Sequence, residues 1–501
     1  MPDIDFNIRA GNTLVGFAHL EDARRVISGG QQQRLLLDDR MASIEARLAG
    51  ISALFQRFRD LQTTLGGDSH LLADGKRNLR EQLMKLSGEL DRHLAVEYGI
   101  DRRTISNERE YERRFTDWRT KHKPFHWIAE FYQTIAEGGF DAVIGNPPYV
   151  DYGKVRDTYT VRNYKTERCG NLYAYVVERS LDVSGPDTRV GMIVPLSLTF
   201  SGDFGSLRSM LLQQSTGLLH LSSYDNIPDR LFTGAKESEN TSKANQQRIT
   251  IFLLQRSRVR GKCRVYSSPL LRWKAMERER LFVQMPITDI TDICTDRSFP
   301  KVGTSRMKFF LKRWQSAPGR LSSIISRYGP HHLVVPKTAG YYIAAYPEEM
   351  ERTQQTTIHF LNQQDRDLAM VLLNSNAFFW LWRVYGDSFH ITMAWIDMCP
   401  VFPCQDEQYL DLAKDLRAAL PECTVYKGYR GVDVPNVNFN RRMDILWRVD
   451  EWIIKHVAPD MDVTPEDFLW AKSNSFLKID IPRAANFPLS YIRRASASSE
   501  E

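Results

Sequence analysis

The sequence predicts an α/β fold with a largely parallel sheet, carrying a helical hairpin near its start and followed by an α+β domain. Three observations carry this. Short β-rich apolar runs ("FDAVIG", "VGMIVPLSL", "RITIFLLQ") alternate with the helical stretches "NLYAYVVERSLDV" and "FGSLRSMLLQQS". Two apolar stripes with helical spacing precede that alternation. Beyond about residue 262 the alternation gives way to aromatics, basic residues and short elements. At 501 residues the length fits about three domains. The boundaries expected are 1–262, with a helical insertion over 38–122, then 263–480, and a C-terminal tail, 481–501.

The insertion is justified residue by residue. Met41, Ile44, Leu48, Ile51, Phe55 and Phe58 form one apolar stripe, and Leu79, Leu83, Leu86, Leu90 and Leu94 a second. Between them "LGGDSH" supplies a turn, so residues 38–98 read as an antiparallel helical hairpin. The charged run 101–123 reads as a solvated helical surface. The polar stretch "TGAKESENTSKANQQ" reads as a loop inside the α/β domain, because a strand comes directly after it.

Composition narrows the function classes. Lys plus Arg (67) exceed Asp plus Glu (61), which permits a polyanionic partner without requiring one. The six cysteines include no C-x-x-C pair, which argues against a zinc site or a disulfide framework, and no metal is expected. There is neither a long uncharged apolar run nor a signal-like start, so a cytoplasmic protein without a membrane partner is expected.

The segment "FDAVIGNPPYV" carries the chemistry. In open parallel sheets ligands bind beyond the carboxyl ends of strands, where Asn146 falls. Pro147 and Pro148 fix their own backbone angles and lack N–H groups, so the turn can be rigid with its carbonyls pointing outward. The Asn146 side-chain oxygen and the Pro147 carbonyl can accept both hydrogens of a planar amino group, with Tyr149 stacked on the ring that bears it. Such acceptors stabilise the positive charge that develops as the nitrogen attacks a methyl donor. The plain alternative is a stiff strand-to-loop turn.

Asn146-Pro147-Pro148-Tyr149 resembles the (D/N/S)-P-P-(Y/F/W) signature of amino-methyltransferases that use S-adenosyl-L-methionine. The longer segment "FHWIAEFYQTIAEGGFDAVIGNPPYVDYGKV" is similar to gamma-class adenine-specific DNA methyltransferases, the TaqI-like and type IIG restriction-modification enzymes. "GNLYAYVVERSLDV" looks like the helix packed beside the family's site, and "DTRVGMIVPLSL" like its next strand. In "YDNIPDRLFTGAKE", Phe232 takes the position of the aromatic that stacks on the flipped base; an ordinary core phenylalanine is the alternative. "VVPKTAGYYIAAY" and the segment from Leu368 to Val401 resemble the target-recognition domain. There Lys337, Tyr341, Tyr342 and His390 are the candidate DNA contacts, whereas Phe378, Phe379, Trp380 and Trp382 read as the core of a helix.

The resemblance implies a partial Rossmann-like methyltransferase sheet and, C-terminal to it, a target-recognition domain. It implies adenine-specific methylation of double-stranded DNA, by base flipping, in a restriction-modification or phage-defence system. The family's F-x-G-x-G loop and the acidic residue on its next strand are not found. "DFNIRAGNTLVGF" resembles the family segment immediately C-terminal to those two motifs, which places Asn12 near the donor's adenine. Since the Asn146 strand would otherwise keep an unpaired edge, either a protein partner supplies the glycine-rich donor-binding half or the chain is a truncated product. The alternatives are a non-catalytic DNA-recognition subunit and a methyltransferase of protein glutamine or RNA.

Overall fold

The computed structural model describes residues 7–27, 34–63, 69–214, 217–231, 247–257, 261–281, 283–350, 354–403, 407–429 and 432–476. Contacts divide the chain into two compact units. One gathers the described parts of Met1–Val194, Asp203–Leu218 and Leu253–Cys263, the other those of Pro195–Gly202, Leu219–Phe252 and Arg264–Glu501.

In the first unit, helices α1 (Arg34–Thr63) and α2 (Ser69–Glu97) pack against each other. Both apolar stripes are turned inward: Met41, Ile44, Leu48, Ile51 and Phe58 share one core with Leu79, Leu83, Leu86, Leu90 and Leu94. Helix α3 (Glu108–His122) is capped by Asn107, whose side chain accepts from the Arg109 and Glu110 amides. It buries Tyr111, Phe115, Trp118 and His122, while Arg113 and Arg114 pair with Glu110 on its solvated face. Asp91 of α2 ties this region to the chain's start. It accepts from Arg119 at 2.7 Å and from His126 Nε2 at 3.1 Å, and His126 Nδ1 in turn accepts from the Phe17 amide at 3.2 Å. That amide fixes the tautomer, with the proton on Nε2. Gly16 has φ +142°, and a Cβ there would meet the Phe125 carbonyl oxygen at 2.1 Å, so only glycine fits.

The sheet has six strands in the order β1-β2-β4-β3-β5-β6. They are β1 (Phe140–Gly145), β2 (Ser184–Pro195), β3 (Leu218–Tyr224), β4 (Ile249–Gln255), β5 (Arg264–Leu271) and β6 (Thr288–Asp289). β1 runs parallel to β2, while β6 is antiparallel to β5, so the sheet is mixed rather than uniformly parallel. Helices α4 (Leu172–Asp182) and α5 (Gly205–Gln214) supply the alternation read from the sequence.

The second unit adds α6 (Ser305–Gln315) and an antiparallel pair, β7 (His331–Pro336) with β8 (Gln355–Phe360), in register from His331↔Phe360 to Pro336↔Gln355. Helices α7 (Gln363–Asn374), α8 (Asn376–Tyr385), α9 (Gln408–Cys423) and α10 (Met443–Val457) pack against one another. Phe378, Phe379, Trp380 and Trp382 are buried in α8, as the apolar run implied. Cys169, Cys263, Cys399 and Cys423 are buried and unbridged. No described helix is long and apolar enough to cross a membrane. The stretch 232–246, Cys404 and the tail from 477 lie outside the described residues.

Candidate active site

β1 delivers the motif. Its Val143, Ile144 and Gly145 pair with Val190, Gly191 and Met192 of β2, and the parallel ladder ends where Asn146 begins. Phe140, at the strand's start, packs edge-on against Trp127 and Phe131 with centroids 5.8 and 5.3 Å away. Beyond Gly145, Asn146 is exposed, Pro147 buried, Pro148 exposed and Tyr149 half-buried. No hydrogen bond from a described residue occupies the Asn146 side-chain amide.

Tyr149 is fixed differently. Its hydroxyl donates to the Ile193 carbonyl of β2 at 2.9 Å, and burial pushes its pKa up to about 12. A phenol held neutral in this way is a positioning donor, not a base. The loop beyond Tyr149 is pinned to the start of α4. The Leu172 amide donates to Val150 and the Tyr152 amide to Gly170, each at 2.9 Å, and Asp151 bridges to Asn171. Asn171 caps α4 by accepting from the Tyr173 amide. The turn is thus held on both sides, by β2 and by α4, while the Asn146 amide stays open.

Asn12 lies in the same compact unit, in a turn bridged to Pro124. Its amide donates to the Lys123 carbonyl at 2.8 Å, and its side-chain oxygen accepts from the Leu14 amide at 3.2 Å. The side-chain NH2 is what remains to meet a ligand. Phe232 lies outside the described residues.

The four recognition candidates belong to the second unit. Lys337 leaves β7 exposed, and its carbonyl accepts from the Ile391 amide at 2.8 Å. Thr338 bridges to His390, and the Ala339 amide donates to the Phe389 carbonyl at 2.9 Å. The segments carrying Lys337 and His390 are therefore neighbours. His390 is exposed and paired through Nδ1 with Asp387. Tyr341 lies over the Arg272 guanidinium, 4.6 Å from its carbon, whereas the Tyr342 hydroxyl is engaged by Asn436 at 3.2 Å. Sequence reasoning overlooked Phe389, an exposed ring beside His390; its place next to that histidine was the only signal.

Residues 76–226 match the family described as Eco57I restriction-modification methylase. A putative type II restriction enzyme and methyltransferase of Methanocaldococcus jannaschii is 22% identical over 262 residues, covering 47% of this chain and 22% of that protein. The chain thus spans about a fifth of the curated relative's length. Among solved structures, a nuclease-deletion mutant of the type ISP restriction-modification enzyme LlaGI in complex with a DNA substrate mimic aligns at TM-score 0.33 and 9% identity, over 58% of this chain and 42% of that one. The type IIG restriction endonuclease BpuSI aligns at TM-score 0.29 and 10% identity, over 95% and 78%. At those scores the structural likenesses carry no argument. The sequence matches make the chain similar, over part of its length, to restriction-modification methylases of the Eco57I kind.

Proposed function

We propose that this chain is the catalytic and target-recognition part of an adenine-specific DNA methyltransferase of a restriction-modification or phage-defence system. The observation that carries the reading is the open Asn146 amide at the carboxyl end of β1, in a turn that the two prolines stiffen and Tyr149 anchors. The Asn146 side-chain oxygen and the Pro147 carbonyl accept the two amino hydrogens of an adenine drawn out of the duplex, and Tyr149 stacks on its ring. S-adenosyl-L-methionine supplies the methyl group. As the N–C bond formed and the donor's S–CH3 bond broke, its sulfonium leaving as a neutral thioether, positive charge would grow on the adenine nitrogen, and the two acceptors would stabilise it before solvent took the surplus proton. Lys337, Tyr341, Tyr342 and His390 contact the duplex.

Few of the described residues fit the donor. Asn12 offers one free NH2 for an adenine edge, and no described strand beyond β1 leads through a glycine-rich turn into a helix. β1 has no neighbour on its outer side among the described residues, and Ile144 is 92% exposed. The reading therefore includes a further strand, most simply from a second polypeptide, that adds to β1 and brings the glycine-rich loop.

Two measurements test this. Calorimetry of the chain alone should show S-adenosyl-L-methionine binding weaker than about 10 μM, roughly −7 kcal/mol; tighter binding contradicts the shared donor site. Coexpression with the neighbouring reading frames should place N6-methyladenine in host DNA, read by mass spectrometry of digested nucleosides. An assembly that binds donor and DNA yet leaves adenine unmodified would instead support recognition without catalysis.

A further inference from the structure

Asp225 sits just beyond β3 and is fully buried amid three guanidiniums. Arg248 Nε lies 2.7 Å from its Oδ1, while Arg272 Nε at 2.9 Å and Arg383 Nη1 at 2.8 Å share Oδ2. Burial alone would raise this carboxyl's pKa, but Arg272, Arg383 and Arg248 together hold it well below the usual carboxylate range. The carboxylate is thus a permanent anion around which the arginines are fixed.

Two of those arginines reach outward to rings. Arg248 lies over Phe389, 5.8 Å from its centroid, and Arg272 over Tyr341 at 4.6 Å. Arg272 Nη2 also donates to the Gly340 carbonyl at 2.5 Å, while its buried Nη1 finds no hydrogen-bond partner among the described residues. The Tyr341 face is the contact left to it. Phe389 is 45% exposed, and its turn is fixed by Asp387, which accepts from the Phe389 and His390 amides at 2.9 and 2.8 Å. A guanidinium on the inner face of a ring stops it turning, so the outer face is presented with its orientational entropy already lost.

We propose that Asp225, Arg248 and Arg272 form a hub that presents Phe389 and Tyr341 as stacking platforms for unpaired nucleobases, the bases left without partners when a nucleotide leaves the duplex. The inference rests on the DNA reading above and assigns it a partner beyond the flipped base. The ammonium of Lys337, exposed on the segment paired with Phe389 and His390, provides a phosphate contact beside the platforms. Base-on-aromatic stacking tolerates any sequence, since every base has a π-face. Asp225 is a positioning residue here; the rings touch the ligand.

The test uses the full chain and two duplexes, one fully paired and one with a 2-aminopurine opposite an abasic site, in fluorescence anisotropy. The parental chain should prefer the second duplex and quench its 2-aminopurine emission. Phe389→Leu, at an exposed position, should cut that preference by about 5- to 150-fold, the equivalent of stacking one base, and leave the paired-duplex affinity within about twofold. Asp225→Asn, if it folds, should also lose the quenching, with the rings intact but their arginines released. A parental chain that binds neither duplex overturns the DNA reading itself. A parental chain that binds both without preference, or a Phe389→Leu chain that keeps preference and quenching, overturns the platform alone.

Discussion

Tyr149 and Lys301 show how differently single side chains are held. The Tyr149 phenol donates to the Ile193 carbonyl and ionises only near pH 12, against an ordinary value of 10.0. Up to about pH 10 it is protonated in both folded and unfolded chains, so it adds no pH dependence to stability there. Between those values only the unfolded chain loses the proton, and stability falls. Tyr149→Phe should cost about 0.5–1.5 kcal/mol in urea unfolding and remove that alkaline decline while keeping the stacking face. Tyr149→Ala should also weaken binding of a duplex with a mismatched target adenine by about 1–3 kcal/mol, measured by anisotropy with the donor half present. Lys301 is the opposite case. Its buried ammonium has no hydrogen-bond partner among the described residues. Burial and then Arg383 pull its pKa from 10.5 to about 7, against the pull of Asp387. As pH falls from about 10.5 to 7 the unfolded chain takes up a proton that the folded one refuses, so stability drops across that window and levels off below it. Lys301→Met should raise stability at neutral pH, on the order of 1–4 kcal/mol, and flatten that slope in urea unfolding.

β1 is the element on which the proposed assembly would depend. Edge strands are normally blunted by charge, proline or a covering loop. Here Ala142 and Ile144 are exposed on a strand whose other side is paired with β2. Ile144→Lys should leave the unfolding free energy of the isolated chain within about 0.5 kcal/mol of parental, yet block association with the proposed donor half in size-exclusion chromatography. Unimpaired association would place the partner elsewhere. The elements themselves were legible in the sequence wherever burial imposed a period. The stripes from Met41 to Phe58 and from Leu79 to Leu94 are buried because a helix facing a partner must repeat at 3–4 residues. β1 was legible as a short apolar run closed by two prolines. What brings together distant positions was not. Asp225, Arg248, Arg272 and Arg383 share no period, and nothing local to "YDNIP" announces three arginines. The Ile193 carbonyl that holds Tyr149 is a backbone atom and leaves no mark in the sequence. The sheet's mixed character was equally illegible: β4 runs opposite to β2, the Leu196 amide meeting Arg248 and the Arg256 amide Thr188, and no local pattern sets that direction.

At the scale of the molecule, the residues proposed for chemistry and for recognition lie in different compact units, Asn146 and Tyr149 in one and Lys337, Tyr341 and His390 in the other. Binding energy and turnover should therefore separate on mutation. Phosphate contacts commonly dominate DNA affinity, whereas under the proposed function Asn146 would face charge that appears only during methyl transfer. The decisive measurement is single-turnover methylation of a duplex by the donor-competent assembly, beside anisotropy for affinity, comparing Asn146→Ala with the parental chain. The variant should methylate about 100- to 1,000-fold more slowly, by analogy with deleting one preorganised oxyanion donor, and bind DNA within about twofold of parental. Methylation at the parental rate would contradict the account and reduce Asn146-Pro147-Pro148-Tyr149 to a turn.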